Sequence, residues 1–254
     1  MDIEIFSSRP ELERASAKRA AELIRQVLTD KDRCCLMLPA GGSQVGFIAA
    51  LVEEPDVAWS RTICYHLDEY IGLAEAHPAS FRRYLRERFV DKVRPGQFHL
   101  VNGEAADPEQ ECQRLGTLLE ARPVDLAFVG IGENGHMAFN DPPADFQTDR
   151  VYLVVTLDET CRRQQVGEGW FRSLADVPKR AITASIPQIL KAQHILCVVP
   201  DERKAAAVRN CLEQDIGPDY PASILRRHPM TELLLDRGAA SLLNGQRSPE
   251  SFTE

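Results

Sequence analysis

The chain has 254 residues, enough for one large α/β domain or two small ones, and 44% of them are hydrophobic, which supplies a sizeable core. Its formal charge of −8 comes without any isolated block of Lys or Arg, which argues against a nucleic-acid surface and leaves small anions as the charged ligands to look for. No run approaches the roughly 18 uninterrupted apolar residues of a spanning helix. The opening MDIEIFSSRPELERAS has no basic leader before an apolar stretch, so a soluble, cytoplasmic protein with no membrane partner is expected.

In chain order, Asp2 to Phe6 alternates polar and apolar residues as a strand does. Arg9 to Asp30 then places Leu12, Ala15, Leu23, Ile24, Val27 and Leu28 on one helical stripe. Arg33 to Pro39 reads as a second, buried strand, and Ala40-Gly41-Gly42-Ser43 turns from it into a helix. Such a junction is an anion site in waiting: free backbone N–H groups and the positive end of a helix dipole face outward, and glycines allow close approach. A tight Gly-Gly connection with no ligand explains the same residues equally well.

Thr62 to Leu67 is a third strand with Asp68-Glu69-Tyr70 at its carboxyl end, and His77 to Val90 is an amphipathic helix whose arginines read as a solvated face. Asp107 to Glu120 is another helix. Val124 to Val129 has the composition of a strand buried on both faces. It stops at Gly130, Gly132 and Gly135, in a loop carrying Glu133, Asn134 and His136, with Asn140 and Asp141 just beyond. A parallel strand would deliver these ionisable groups to the sheet edge where ligands of open α/β sheets bind.

Val151 to Leu157 is a further strand, followed by a polar stretch, ETCRRQQVGEGWF, capped by Asp158. Ala181 to Ile186 and His194 to Pro200 are strands, and Asp201 is expected to cap ERKAAAVRNCLEQ. Arg203 and Lys204 in that helix's first turn oppose its dipole, which a bound anion would explain. Thr231 to Asp236 is the last strand. Seven cysteines, odd in number and without a C-x-x-C, read as buried free thiols, so neither a disulfide framework nor a zinc site is expected. The alternation predicts an α/β fold, a doubly wound, mostly parallel, Rossmann-like sheet in a single domain over 1–244 with a polar tail at 245–254.

Three segments together, LPAGGS (Leu38 to Ser43), HLDEYIGL (His66 to Leu73) and GIGENGHMAFNDP (Gly130 to Pro142), resemble the glucosamine-6-phosphate deaminase/isomerase family, which shares a fold with 6-phosphogluconolactonase. VPKRAIT (Val177 to Thr183) and the Arg203-Lys204-Ala205 run extend the likeness over nearly the whole chain. The resemblance implies an enzyme that turns glucosamine 6-phosphate into fructose 6-phosphate plus ammonia, an aldose-ketose isomerisation with deamination. It implies Asp68 as the base at carbon 2 and His136 as the ring-opening group, with Gly41, Gly42, Ser43 and Lys204 on the phosphate. No metal or organic cofactor is called for, and the implied partner is a small sugar phosphate, with the chain a monomer or a homo-oligomer.

Two positions depart from the family's best-known members, which carry Asp and Glu where this chain has Asn134 and Asp141. Either Asp141 or Glu133 then supports a positive His136, or the imidazole works with a less elevated pKa. The family's phosphate-binding arginine has no clear counterpart in CRRQQVGEGWF, where Arg162 and Arg163 are the candidates. Two other classes fit the same residues: a lactonase-like hydrolase of a sugar-phosphate lactone, which would release no ammonia, and a non-catalytic sugar-phosphate sensor, which would not need Asp68.

Overall fold

The computed structural model describes residues 1–244; the tail expected at 245–254 lies outside the described residues. The first half runs β1 (Asp2–Phe6), α1 (Arg9–Asp30), β2 (Cys34–Leu38), α2 (Val45–Leu51), β3 (Thr62–His66), β4 (Asp68–Tyr70), α3 (Phe81–Leu85), α4 (Asp91–Val93), β5 (Gln97–His99) and α5 (Pro108–Glu120). The second half runs β6 (Leu126–Val129), β7 (Tyr152–Thr156), α6 (Glu159–Gly167), β8 (Arg180–Ala184), α7 (Ile186–Ile189), β9 (His194–Val199), α8 (Ala205–Glu213) and β10 (Thr231–Asp236).

Seven strands pair in parallel in the order β1-β10-β9-β6-β2-β3-β5. In the central strands the side chains alternate between two cores. Cys35 and Met37 of β2, Ala127 and Val129 of β6, and Ile195, Cys197 and Val199 of β9 enter one core with α5 and α8. Leu36 and Leu38, Leu126 and Phe128, and Leu196 and Val198 enter the other with α1 and α2. Burial on both faces is why these strands read as unbroken apolar runs. The chain builds outward from β2 through β3 to β5, then returns to β6 on the other side of β2. The loops after β2 and β6 therefore diverge at a topological switch point, where a crevice opens at the carboxyl ends.

Three expectations change here. Asp68–Tyr70 does not trail off β3 but forms its own strand, and β4, β8 and β7 make a separate antiparallel sheet. The helix expected from His77 starts only at Phe81, capped by Ser80. Asp201 precedes a 3-10 turn but its side chain makes no cap bond: its backbone sits at φ 82 and its carboxylate binds Arg9. All seven cysteines are buried and free, and among the described residues no helix is long and apolar enough to cross a membrane.

Candidate active site

A cleft lies over the switch point, lined by the loops after β2 and β6, the start of β4, and the end of α6. Gly41, Gly42, Ser43, Asp68, His136 and Lys204, from four separate segments of sequence, all line it. Asn134 and Asp141 do not; they stand behind His136.

Adjacent residues on a strand point to opposite faces, and this gives the two carboxylates of β4 different surroundings. Asp68 faces the cleft. It is 5% exposed, yet among the described residues no hydrogen bond reaches its carboxylate; burial, and then the neighbouring Glu69, raise its pKa well above the ordinary value. Glu69 points away and is fully buried. It accepts from the backbone N–H groups of Tyr70, Phe81 and Arg82 and from the Ser80 hydroxyl, at 2.7–3.2 Å. That carboxylate holds the start of α3. Arg82, expected on a solvated face, is instead buried beside Glu69, where Nη2 also donates to the Leu73 carbonyl at 2.8 Å. Arg82→Ala should lower unfolding free energy by about 3 kcal/mol, the low end for a broken buried pair because the other donors to Glu69 remain. Urea denaturation is the check.

The His136 loop is pinned to the same small sheet. Thr183 of β8 pairs with Asp68 in register, and its hydroxyl accepts from the Phe139 N–H at 3.1 Å. Asn140 donates to the Met137 and Ala184 carbonyls, both at 2.9 Å. Between them Ala138 takes a positive φ of 48°, backbone strain of the kind held only where surrounding bonds over-determine it. Gly132 lies under the imidazole: a Cβ there would sit 2.2 Å from His136 Nε2, so only glycine leaves the ring its place.

Behind the ring, His136 Nδ1 lies 3.1 Å from Asp141 Oδ1, within ion-pair range though poorly aligned as a hydrogen bond. Burial pushes the Asp141 pKa up, but His136, Asn134 and the Asp158 N–H outweigh it, and the group titrates below the ordinary carboxylate range. Asp141 is thus the carboxylate that meets His136. Glu133 turns away and pairs with Arg203. Asn134 donates through Nδ2 to both Asp141 and Asp158, each at 2.9 Å, and accepts from the His136 N–H at 3.1 Å. An aspartate at 134 would press a third carboxylate against those two, which gives the departure from the family pattern a physical reason. His136, Asp141 and Cys161 bring ligand-type atoms within 4.8 Å, but burial raises the Cys161 pKa well above normal, which keeps it a neutral thiol against Asp141.

At the other end of the cleft, Gly41 adopts φ 105 and opens a 3-10 turn, Gly42–Gln44, leading into α2. Lys204 ends a second such turn, Glu202–Lys204, after β9. It is 2% exposed, and burial lowers its pKa, partly offset by Glu168. Neither Arg162 nor Arg163 lines the cleft: Arg162 donates to the Leu174 and Val177 carbonyls, and Arg163 pairs with Glu159 on the surface. The α6 residues that do line the cleft are Gln164, Gln165 and Glu168. With Cys161 they form a helical stripe of i, i+3, i+4, i+7 spacing, a signal present in the sequence.

A buried acid–base pair and an anion cradle at the switch point of a doubly wound sheet define an α/β enzyme for a small phosphorylated ligand. The family model for glucosamine-6-phosphate isomerases/6-phosphogluconolactonase matches residues 7–234, and the chain belongs to that family. Glucosamine-6-phosphate deaminase of Exiguobacterium sp. is 38% identical over 224 residues, covering 87% of this chain and 85% of that protein. Glucosamine-6-phosphate deaminase 1 of Bacillus subtilis is 36% identical over 229 residues, covering 88% and 93%. The solved structure of a monomeric glucosamine-6-phosphate deaminase superposes with a TM-score of 0.88 at 33% identity, over 95% of this chain and 100% of that one. A 6-phosphogluconolactonase from Shewanella baltica, at 19% identity and a TM-score of 0.77 over 93% and 97% of the two chains, shares the fold.

Proposed function

We propose that the chain is a glucosamine-6-phosphate deaminase, converting glucosamine 6-phosphate and water to fructose 6-phosphate and ammonia, with residues 1–244 acting as one domain. One observation carries this reading: the buried carboxylate of Asp68, without a hydrogen-bond partner among the described residues, faces the same cleft as His136 and the Gly41–Ser43/Lys204 cradle. An unpaired buried carboxylate is costly to fold around and is retained where it has work to do.

With the phosphate in the cradle, the sugar reaches toward the other end of the cleft. His136 takes the proton of the 1-hydroxyl and delivers it to the ring oxygen, so that the pyranose opens to the aldehyde, and Asp141 behind it stabilises the transient imidazolium. Asp68 takes the carbon-2 proton, leaving an enolamine, and the proton returns at carbon 1. The resulting imine adds water and expels ammonia. Each positioned proton transfer contributes about 10²–10⁴ in rate. Burial makes Asp68 a stronger base than a solvated carboxylate, and the rate is therefore expected to fall as pH drops through its raised pKa.

Ammonia release from a panel of glucosamine 6-phosphate, galactosamine 6-phosphate and unphosphorylated glucosamine tests the assignment. Release from a phosphorylated aminosugar supports it; hydrolysis of a sugar-phosphate lactone without ammonia release points to the lactonase branch. Lys204→Ala removes a charge-assisted contact worth about 1.5–3 kcal/mol, so kcat/KM for the phosphorylated substrate should drop roughly 10- to 150-fold, mainly through KM. Unchanged constants in that variant would remove Lys204 from the phosphate site.

A further inference from the structure

The cradle assigned to phosphate already holds an anion of the protein's own. Glu168 Oε2 accepts from the Gly42 N–H at 3.2 Å, on the turn that opens α2, and Oε1 lies 3.8 Å from Lys204 Nζ. Gln164 Nε2 at 2.7 Å and Trp170 Nε1 at 3.2 Å complete its ligands. Among the described residues Glu168 is the sole carboxylate within 4.0 Å of the Lys204 ammonium. A carboxylate so placed takes up the backbone donor and the cation that a phosphate needs, and a phosphate dianion entering beside it would meet a like charge rather than a neutral cradle.

We propose that Glu168 is a tethered competitor for the phosphate site, which the substrate's phosphate must displace before the sugar can seat. This rests on the cradle's role in the proposed function and adds a control on access to it. The local chain suits such a movement. Glu168 follows the last turn of α6 and is flanked by Gly167 and Gly169, the latter at φ 82, so two glycines bracket the side chain that has to swing. A Cβ at Gly42 would sit 2.9 Å from Glu168 Oε2, so the glycine leaves room for the present contact. Displacement also frees the Trp170 indole N–H from its partner, which gives the event an intrinsic optical signal. The apparent affinity for phosphate is then the intrinsic affinity multiplied by the fraction of molecules in which Glu168 is out.

The test titrates inorganic phosphate into the wild type, Glu168→Gln, Glu168→Ala and Lys204→Ala by calorimetry at neutral pH, with Trp170 emission followed in a Trp59→Phe background. Both Glu168 variants are expected to bind phosphate about 10-fold more tightly than the wild type, with KM for the sugar phosphate falling in parallel. Phosphate should also shift Trp170 emission in the wild type. Equal or weaker phosphate binding in both Glu168 variants overturns the proposal, because Glu168 is then a neutral bystander or part of the binding wall. The outcomes separate cleanly. Loss of the Glu168 effect with ammonia release intact leaves the deaminase reading standing, whereas undiminished phosphate binding by Lys204→Ala removes the cradle itself.

Discussion

Asp68→Asn should abolish turnover, lowering kcat by about 10²–10⁴-fold or more, while making the protein more stable near neutral pH. Both effects have one origin. In the unfolded chain this carboxyl group ionises near about pH 3.9. In the folded protein, burial and then Glu69 keep it protonated to higher pH. Between those points the native state binds more protons than the unfolded state, so the Asp68 contribution to stability is full in acid and is lost as pH rises through the window. An isosteric amide carries no such penalty. The variant should therefore melt above the wild type at neutral pH, with the gap closing in acid. A variant that melts lower at all pH values would mean that Asp68 makes stabilising contacts, and the unbonded carboxylate would lose its significance.

His136→Gln should reduce turnover of the pyranose by about 10²–10⁴-fold, but through a different step. The imidazole sits in a loop fixed by Thr183 and Asn140, backed by Asp141 at 3.1 Å, and its expected task ends once the ring is open. Glutamine approximates the size of the ring and cannot cycle a proton to the ring oxygen. An analogue lacking both the 4- and 5-hydroxyls can close neither a furanose nor a pyranose and bypasses the defect, so the variant should process it at close to the wild-type rate. Equal impairment on both substrates would place His136 in the later proton transfers as well.

Much of this was legible in the sequence because buried parallel strands announce themselves. CCLML, LAFV and HILCVV are apolar on both faces, each ends at the cleft, and the residues just beyond them (Gly41 to Ser43, His136, Lys204) are site residues by position alone. What stayed hidden depends on contacts between distant segments. That Asp68 and Glu69 divide into a cleft carboxylate and a structural one follows from β4 leaving the main sheet to pair with β8. Arg82 looked solvated because helical periodicity cannot reveal that Glu69 lies beneath it. The choice of Asp141 over Glu133 needed the partner of Glu133, Arg203, which is 70 residues away. Around α6 the resemblance points to Arg162 and Arg163, while the cleft is lined by the less conspicuous stripe of Gln164, Gln165 and Glu168.

The most direct test of the account is exchange of the carbon-2 hydrogen with solvent, followed by NMR in D₂O on the non-cyclising analogue, for the wild type and both variants. Ready exchange is expected in the wild type and in His136→Gln, and none above background in Asp68→Asn. Exchange at the wild-type rate in Asp68→Asn would contradict it: the base would lie elsewhere, and the mechanism built on the Asp68 carboxylate would fall.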